Sequence, residues 1–223
     1  MTLGRIVVIG FFSAWFAAAG SPAGLCNSGQ ATEIAPGVKE GIIAIECKPQ
    51  KFTMRRVDGD PYPYYTYVPH DVETERFSGP EGTGIRFWMN RGGGDKRYQA
   101  YAAIFVFPPG TTREKTREIV DELMSRSGWD KHEREYKENK SFPWALYEMP
   151  FTAAWYSTGS KRIPIGAIAV GQHGDLFFGV LCYYRASYSD GFVPRYLRIL
   201  DELVWTDTNE GLPRVEMQGC SGK

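Results

Sequence analysis

Histidine is scarce in this 223-residue chain: only His70, His132 and His173 are present. Any mechanism that needs imidazole must use one of them, and no two stand at the spacing of a zinc site. The four cysteines contain no C-x-x-C, which excludes a zinc knuckle and a thioredoxin-type redox pair. There is no Gly-x-Ser-x-Gly elbow. The glycine clusters Gly82-Thr83-Gly84 and Gly92-Gly93-Gly94 lack the following Lys-Ser/Thr and the strand-to-helix crossover of a phosphate cradle. No two carboxylates stand out as an acid and a base. Charge of one sign is also missing: 26 basic side chains balance 26 acidic ones, so bulk charge favours neither nucleic acid nor an anionic membrane. Composition therefore nominates no catalytic, cofactor-binding or metal-ligating residue.

What is there begins with the leader. Met1 to Arg5 carries one positive charge, Ile6 to Gly20 is almost wholly apolar, and Ser21-Pro22-Ala23-Gly24 supplies small residues. This is the layout of a secretory signal peptide over 1–23, with cleavage expected after Ala23. The apolar run is shorter than the ~20 residues of a membrane span and is broken by Gly10 and Ser13. A lipid anchor at Cys26 is the poorer fit, because Leu25 rather than a small residue precedes it. No later run is long enough to cross a bilayer. The expected address is periplasmic or extracellular, and the mature chain keeps 25 basic against 26 acidic side chains, a net charge of −1. Cys26, Cys47, Cys182 and Cys220 are then an even set in an oxidising compartment, where disulfides are expected. Three pairings are open. The preferred one joins Cys47 to Cys182 and Cys26 to Cys220, the second tying both tails to the body.

The pattern divides the rest into an N-terminal arm (24–40), one domain (41–206) and a C-terminal tail (207–223). Strands are expected over Gly41 to Cys47, Lys51 to Val57 and Tyr62 to Pro69, and over Gly84 to Asn90 and Tyr98 to Phe107 about a glycine loop. Thr111 with Glu114 reads as a capping box opening a helix with Ile119, Val120, Leu123 and Met124 on its apolar face, ending at Gly128. Phe142 to Tyr156 has strand composition. Ile163 to Gly171 and Leu176 to Arg185 form a hairpin apolar on both faces, the mark of strands covered from two sides. A last helix, capped by Asp190, is expected from about Phe192 to Trp205, with Val193, Leu197, Leu200 and Val204 buried. The implied fold class is α+β: a three-layer α/β/α sandwich with a mostly antiparallel central sheet.

The order of elements resembles the PsbP family of extrinsic proteins of photosynthetic membranes and the related fold of a Ran-binding nuclear import factor. The resemblance is carried over roughly 50–206 by the strand ending Tyr67-Val68-Pro69, the hairpin into Phe105-Val106-Phe107-Pro108, the helix after Thr111, the strand Trp144 to Tyr156, the hairpin around His173 and the closing Leu203-Val204-Trp205. It implies a non-enzymatic domain that docks on a larger partner, and it transfers no functional residue.

Three functions remain open. The first is an exported, non-enzymatic accessory protein that binds an unidentified envelope or extracellular protein, with Arg91, Lys96 and Arg97 around the glycine loop and Tyr64 and Tyr65 in the aromatic stretch as contacts. The second is a secreted hydrolase built on His173-Asp175 or His70-Asp71. The third is a carbohydrate-binding module that uses the aromatic stretch Tyr62 to Tyr67. Each motif has a plainer reading: Gly174-Asp175 as a turn, the aromatics as packing, and His132 as part of a solvated charged run.

Overall fold

The computed structural model describes residues 36–89, 100–129, 141–152, 164–185 and 188–214. The leader, Cys26, Cys220, His132, Arg91, Lys96 and Arg97 lie outside these residues. Among the described residues eleven strands and two helices run in the order β1 (Val38–Ile45), β2 (Lys48–Asp58), β3 (Tyr64–Pro69), β4 (Glu73–Gly79), β5 (Gly82–Met89), β6 (Ala100–Val106), α1 (Arg113–Arg126), β7 (Ala145–Thr152), β8 (Pro164–His173), β9 (Leu176–Arg185), α2 (Ser189–Asp201), β10 (Val204–Trp205) and β11 (Glu210–Gly211). All pairings are antiparallel, and they build two sheets: a six-stranded sheet ordered β4-β5-β6-β9-β8-β7 and a five-stranded sheet ordered β1-β2-β3-β10-β11.

The period-2 alternation of the large sheet splits its side chains between two cores. On one face Ala103, Phe105, Ile168, Val170, Leu181 and Tyr183 meet Ile119, Val120 and Met124 of α1. On the other, Ile104, Val106, Ala169, Phe178, Val180 and Cys182 meet Phe192, Tyr196, Ile199 and Leu200 of α2, together with Tyr64 and Val68 of β3 and Trp205 of β10. The doubly apolar β8–β9 hairpin thus has both faces covered, as its sequence predicts. The α/β/α sandwich, however, is not the fold. Strand predominates over helix, and a second sheet shares with α2 the face on which a helix alone was expected. β1, β2 and β3 fall on segments expected as strands, but no local signal assigns them to a sheet of their own, and β10 and β11, which complete it, are two residues each. In the large sheet β4 (ETERFSG) carries charge at alternate edge positions and does not look like a strand by apolar content.

Local signals place most ends correctly and miss some by a residue. The cap of α1 is Thr112, whose Oγ1 accepts from Lys115 N–H at 3.3 Å; Thr111 instead donates to Pro108 O at 2.6 Å, closing the Gly110 turn. At the other end Trp129 N–H donates to Met124 O and Gly128 N–H to Ser125 O, with Gly128 at φ +66, a Schellman stop that buries Trp129 against the helix. α2 ends at Asp201, four residues short of the expected Trp205, and its buried positions are Phe192, Tyr196, Ile199 and Leu200 rather than the stripe of Val193, Leu197 and Val204. Asp190 lies in its first turn and Tyr188, without a side-chain bond, stands at the cap.

The preferred cysteine pairing is also corrected. Cys182 is a free, buried thiol on β9, directly opposite Ala102 and Ala167 and bonded to the Tyr196 hydroxyl. Burial pushes this thiol up to about 11, so it is inert. Cys47 sits in the two-residue β1–β2 turn, where Glu46 and Cys47 both take positive φ, and is disulfide-bonded; its partner lies outside the described residues.

Candidate functional site

Beyond Pro69 the chain leaves β2, and an open groove of about 400 Å³ lies there between Lys51, Phe52 and Thr53 of β2 and His70 and Asp71 of the β3–β4 turn. The turn is pinned by His70 N–H donating to Thr53 O at 3.0 Å and Val72 N–H to Pro69 O at 3.0 Å. Arg195, from α2, closes one side. Its Nε and Nη2 both donate to Asp71 Oδ2, at 2.9 and 2.6 Å, its Nη1 donates to Gly191 O at 2.7 Å, and its guanidinium stands 4.8 Å from the Phe52 ring centroid. Asp71 is therefore committed to Arg195 and does not serve His70 as an orienting carboxylate. What the groove offers is an exposed imidazole, an exposed ammonium, a hydroxyl and an aromatic edge. These are recognition groups for a polar, anionic segment.

The second sequence candidate is also rearranged. Gly174 (φ +54) and Asp175 make the two-residue β8–β9 turn, and the carboxylate at His173 is that of Asp207, 34 residues away, not that of Asp175. His173 Nε2–H donates to both oxygens of Asp207, at 2.9 and 3.0 Å, and its ring stacks on Trp205 at 4.1 Å with 2° between planes. The side chain is only 14% exposed. His173 thus fastens the β8–β9 turn to the β10–β11 turn. Slight desolvation works against the charge of Asp207, but the hydrogen bond and charge of His173 prevail and hold its carboxyl below the usual carboxylate range. A carboxyl with a depressed folded-state pKa stabilises above its unfolded pKa, near 3.9, and loses that contribution as pH falls through its folded value. Urea midpoints of wild type and Asp207→Asn should therefore differ at pH 6 and converge below about pH 3. A difference that persists at pH 2.5 would contradict the bond's role.

The aromatic stretch divides in two. Tyr64 is buried, edge-on to Trp205 at 5.7 Å, its hydroxyl donating to Ile104 O, and it makes no surface contact. Tyr65 and Tyr67 stand edge to face at 6.0 Å, each covered by a cation: Arg56 lies 4.0 Å from the Tyr65 centroid and Lys39 3.9 Å from that of Tyr67. Arg56 in turn pairs with Asp58 at 2.7 Å, and Lys39 with Glu202. Of the residues singled out from sequence, Tyr65, His70, Asp71 and His173 are at or near the surface. Arg195, Asp207, Lys51 and Phe52 were missed, and only the charge of Arg195 on a helical polar face hinted at any of them. Among the described residues no group of three His, Cys, Asp or Glu side chains is placed to hold a metal ion. No helix among them is long and apolar enough to cross a membrane.

No family model matches the chain, so the resemblance to the PsbP family is not established as membership, and no curated protein matches it. Several solved structures are similar, two of them as follows. One is the Ran-binding protein Mog1p of Saccharomyces cerevisiae, at 10% identity and a TM-score of 0.42, covering 70% of this chain and 97% of that one. The other is LpqN of Mycobacterium tuberculosis, described as involved in cell envelope biogenesis, at 11% identity and a TM-score of 0.35, covering 67% of this chain and 90% of that one.

Proposed function

We propose that the protein is an exported, non-enzymatic accessory domain that binds an acidic segment of a partner protein in the groove between β2 and the β3–β4 turn. The observation that carries this reading is the convergence of Lys51, Thr53, His70 and the Arg195-backed face of Phe52 on one open groove in which the only carboxylate among the described lining residues, Asp71, is already neutralised. Export is supported by the leader composition of residues 1–23 and by the disulfide at Cys47.

The test is a crosslinking pull-down from the native envelope with wild type and a Lys51→Glu/His70→Glu variant. A defined protein captured by wild type should be reduced at least tenfold in the variant, with the variant's melting temperature within ~2 °C of wild type. Retention of the same protein by both would contradict the reading. Placing two like charges before an acidic segment costs roughly 1.5–3 kcal/mol at this partly exposed site, which is the tenfold or greater loss expected.

One observation favours the hydrolase alternative, the His173–Asp207 pair. Its check is any hydrolytic turnover of the purified protein that a His70→Ala/His173→Ala double variant abolishes.

A further inference from the structure

Sheet edges expose rows of unpaired N–H and C=O groups, and proteins guard them with charge, proline, bulges or short strands. Among the described residues three of the four sheet edges are guarded. β4 carries Glu73, Glu75 and Arg76; β7 has Pro150, an irregular register between Ala145 and Tyr147 and the buried carboxylate of Glu148; β11 is two residues long. β1 is different. Its stretch Gly41-Ile42-Ile43-Ala44-Ile45 has no charge, no proline and no bulge, it pairs among the described residues with β2 alone, and Ile42 at its middle is 60% exposed.

We infer that β1 is a dimerisation edge, pairing antiparallel with β1 of a second copy of this chain about Ile42. The hydrogen-bonding phase is set by β2. Ala44 faces Pro49, which has no N–H, so this pair is not hydrogen-bonded, and Ala44, Ile42 and Glu40 direct their own N–H and C=O groups away from β2 to the free edge. Pairing with a copy in which Ile42 meets Ile42 brings these outward groups opposite one another: Glu40 faces Ala44 and Ala44 faces Glu40. On the other face Lys39 meets Ile45 and Gly41 meets Ile43. No like charges oppose, a small residue faces a large one, and the exposed isoleucine is covered by itself. The sequence of the strand is thus complementary to its own reverse, which is why a second copy rather than a foreign strand is the occupant. The inference does not rest on the groove, and because Lys51 stands opposite Ile42 across the β1–β2 pair, the variants that test it leave Lys51 and His70 unchanged.

The test is light scattering coupled to size exclusion on the purified protein, with cysteine trapping. Wild type should be a dimer at about 100 µM, and Ala44→Pro, which removes an outward N–H and no β1–β2 bond, should be monomeric with an unchanged circular dichroism spectrum. Ile42→Cys should crosslink to itself on oxidation, because directly opposed Cα atoms of such a pair lie about 5.5 Å apart, inside the roughly 4.4–6.8 Å range of disulfides. Ala44→Cys should not, being opposite Glu40. A wild type that stays monomeric at 500 µM, or an Ala44→Cys that crosslinks as fast as Ile42→Cys, would overturn the inference.

Discussion

Trp205→Ala is expected to lower the unfolding free energy by about 3–5 kcal/mol, the largest effect of any single truncation away from the groove. Trp205 is 3% exposed although it belongs to a two-residue strand. Its ring is stacked under His173, meets Tyr64 edge-on, and lies 5.2 Å from Phe178 of the large sheet. Its backbone pairs with Tyr64 on one side and Glu210 on the other. One side chain thus joins the small sheet, the large sheet and the β8–β9 turn, and its loss leaves a cavity bordered by rigid strands that collapses poorly. Chemical denaturation should show the full drop, with a fall in melting temperature of roughly 6–20 °C. A loss below 1 kcal/mol would mean that the two sheets are not held through this residue.

Gly82→Ala should cost about 3 kcal/mol or more, while Gly174→Ala, in an equally tight turn, should cost about 1–2 kcal/mol. Both glycines have positive φ, +136 and +54 respectively. The difference is space. A Cβ on Gly82 falls 2.1 Å from Val106 O and 2.8 Å from Val106 C, both backbone atoms of the neighbouring strand, whereas a Cβ on Gly174 meets nothing within 4 Å. Gly82 must therefore be glycine both for its dihedral and for the approach of β6, and Gly174 for its dihedral alone. Paired thermal melts of the two variants check the ordering. Equal losses would show that the β5–β6 approach is looser than described.

The legible parts of the fold were those where one residue type decides the outcome locally. Gly128 stops α1, Gly174-Asp175 turns the β8–β9 hairpin, and apolar residues on both faces of β8 and β9 announced that both sides are covered. What escaped depends on partners distant in sequence. β4 is a strand because the ladder with β5 holds it, not because its residues are apolar, so its charge masked it. The second sheet escaped because β3, expected as a strand, takes its neighbour β10 from the far end of the chain, and β10 and β11 are two residues each. The start of α1 slipped by one residue because Thr111 and Thr112 are both competent caps, and the Gly110 turn takes the first for itself.

The same logic governs the site. His and Asp close together in sequence invited a local dyad, but each takes a partner from elsewhere: Asp71 takes Arg195, 124 residues on, and His173, at the end of β8, takes Asp207 while Asp175 lies in the turn. The cysteines failed likewise. Cys182 lies mid-strand against α2, too deep to pair with a turn residue such as Cys47.

The most direct measurement of the binding reading is a titration of ¹⁵N-labelled protein with an aspartate- and glutamate-rich peptide, followed by amide chemical shifts. The account predicts salt-sensitive shifts confined to Lys51, Phe52, Thr53, His70, Asp71 and Arg195, and their disappearance in Lys51→Glu/His70→Glu. Shifts absent at millimolar peptide, or centred on the His173–Asp207 pair instead, would contradict it.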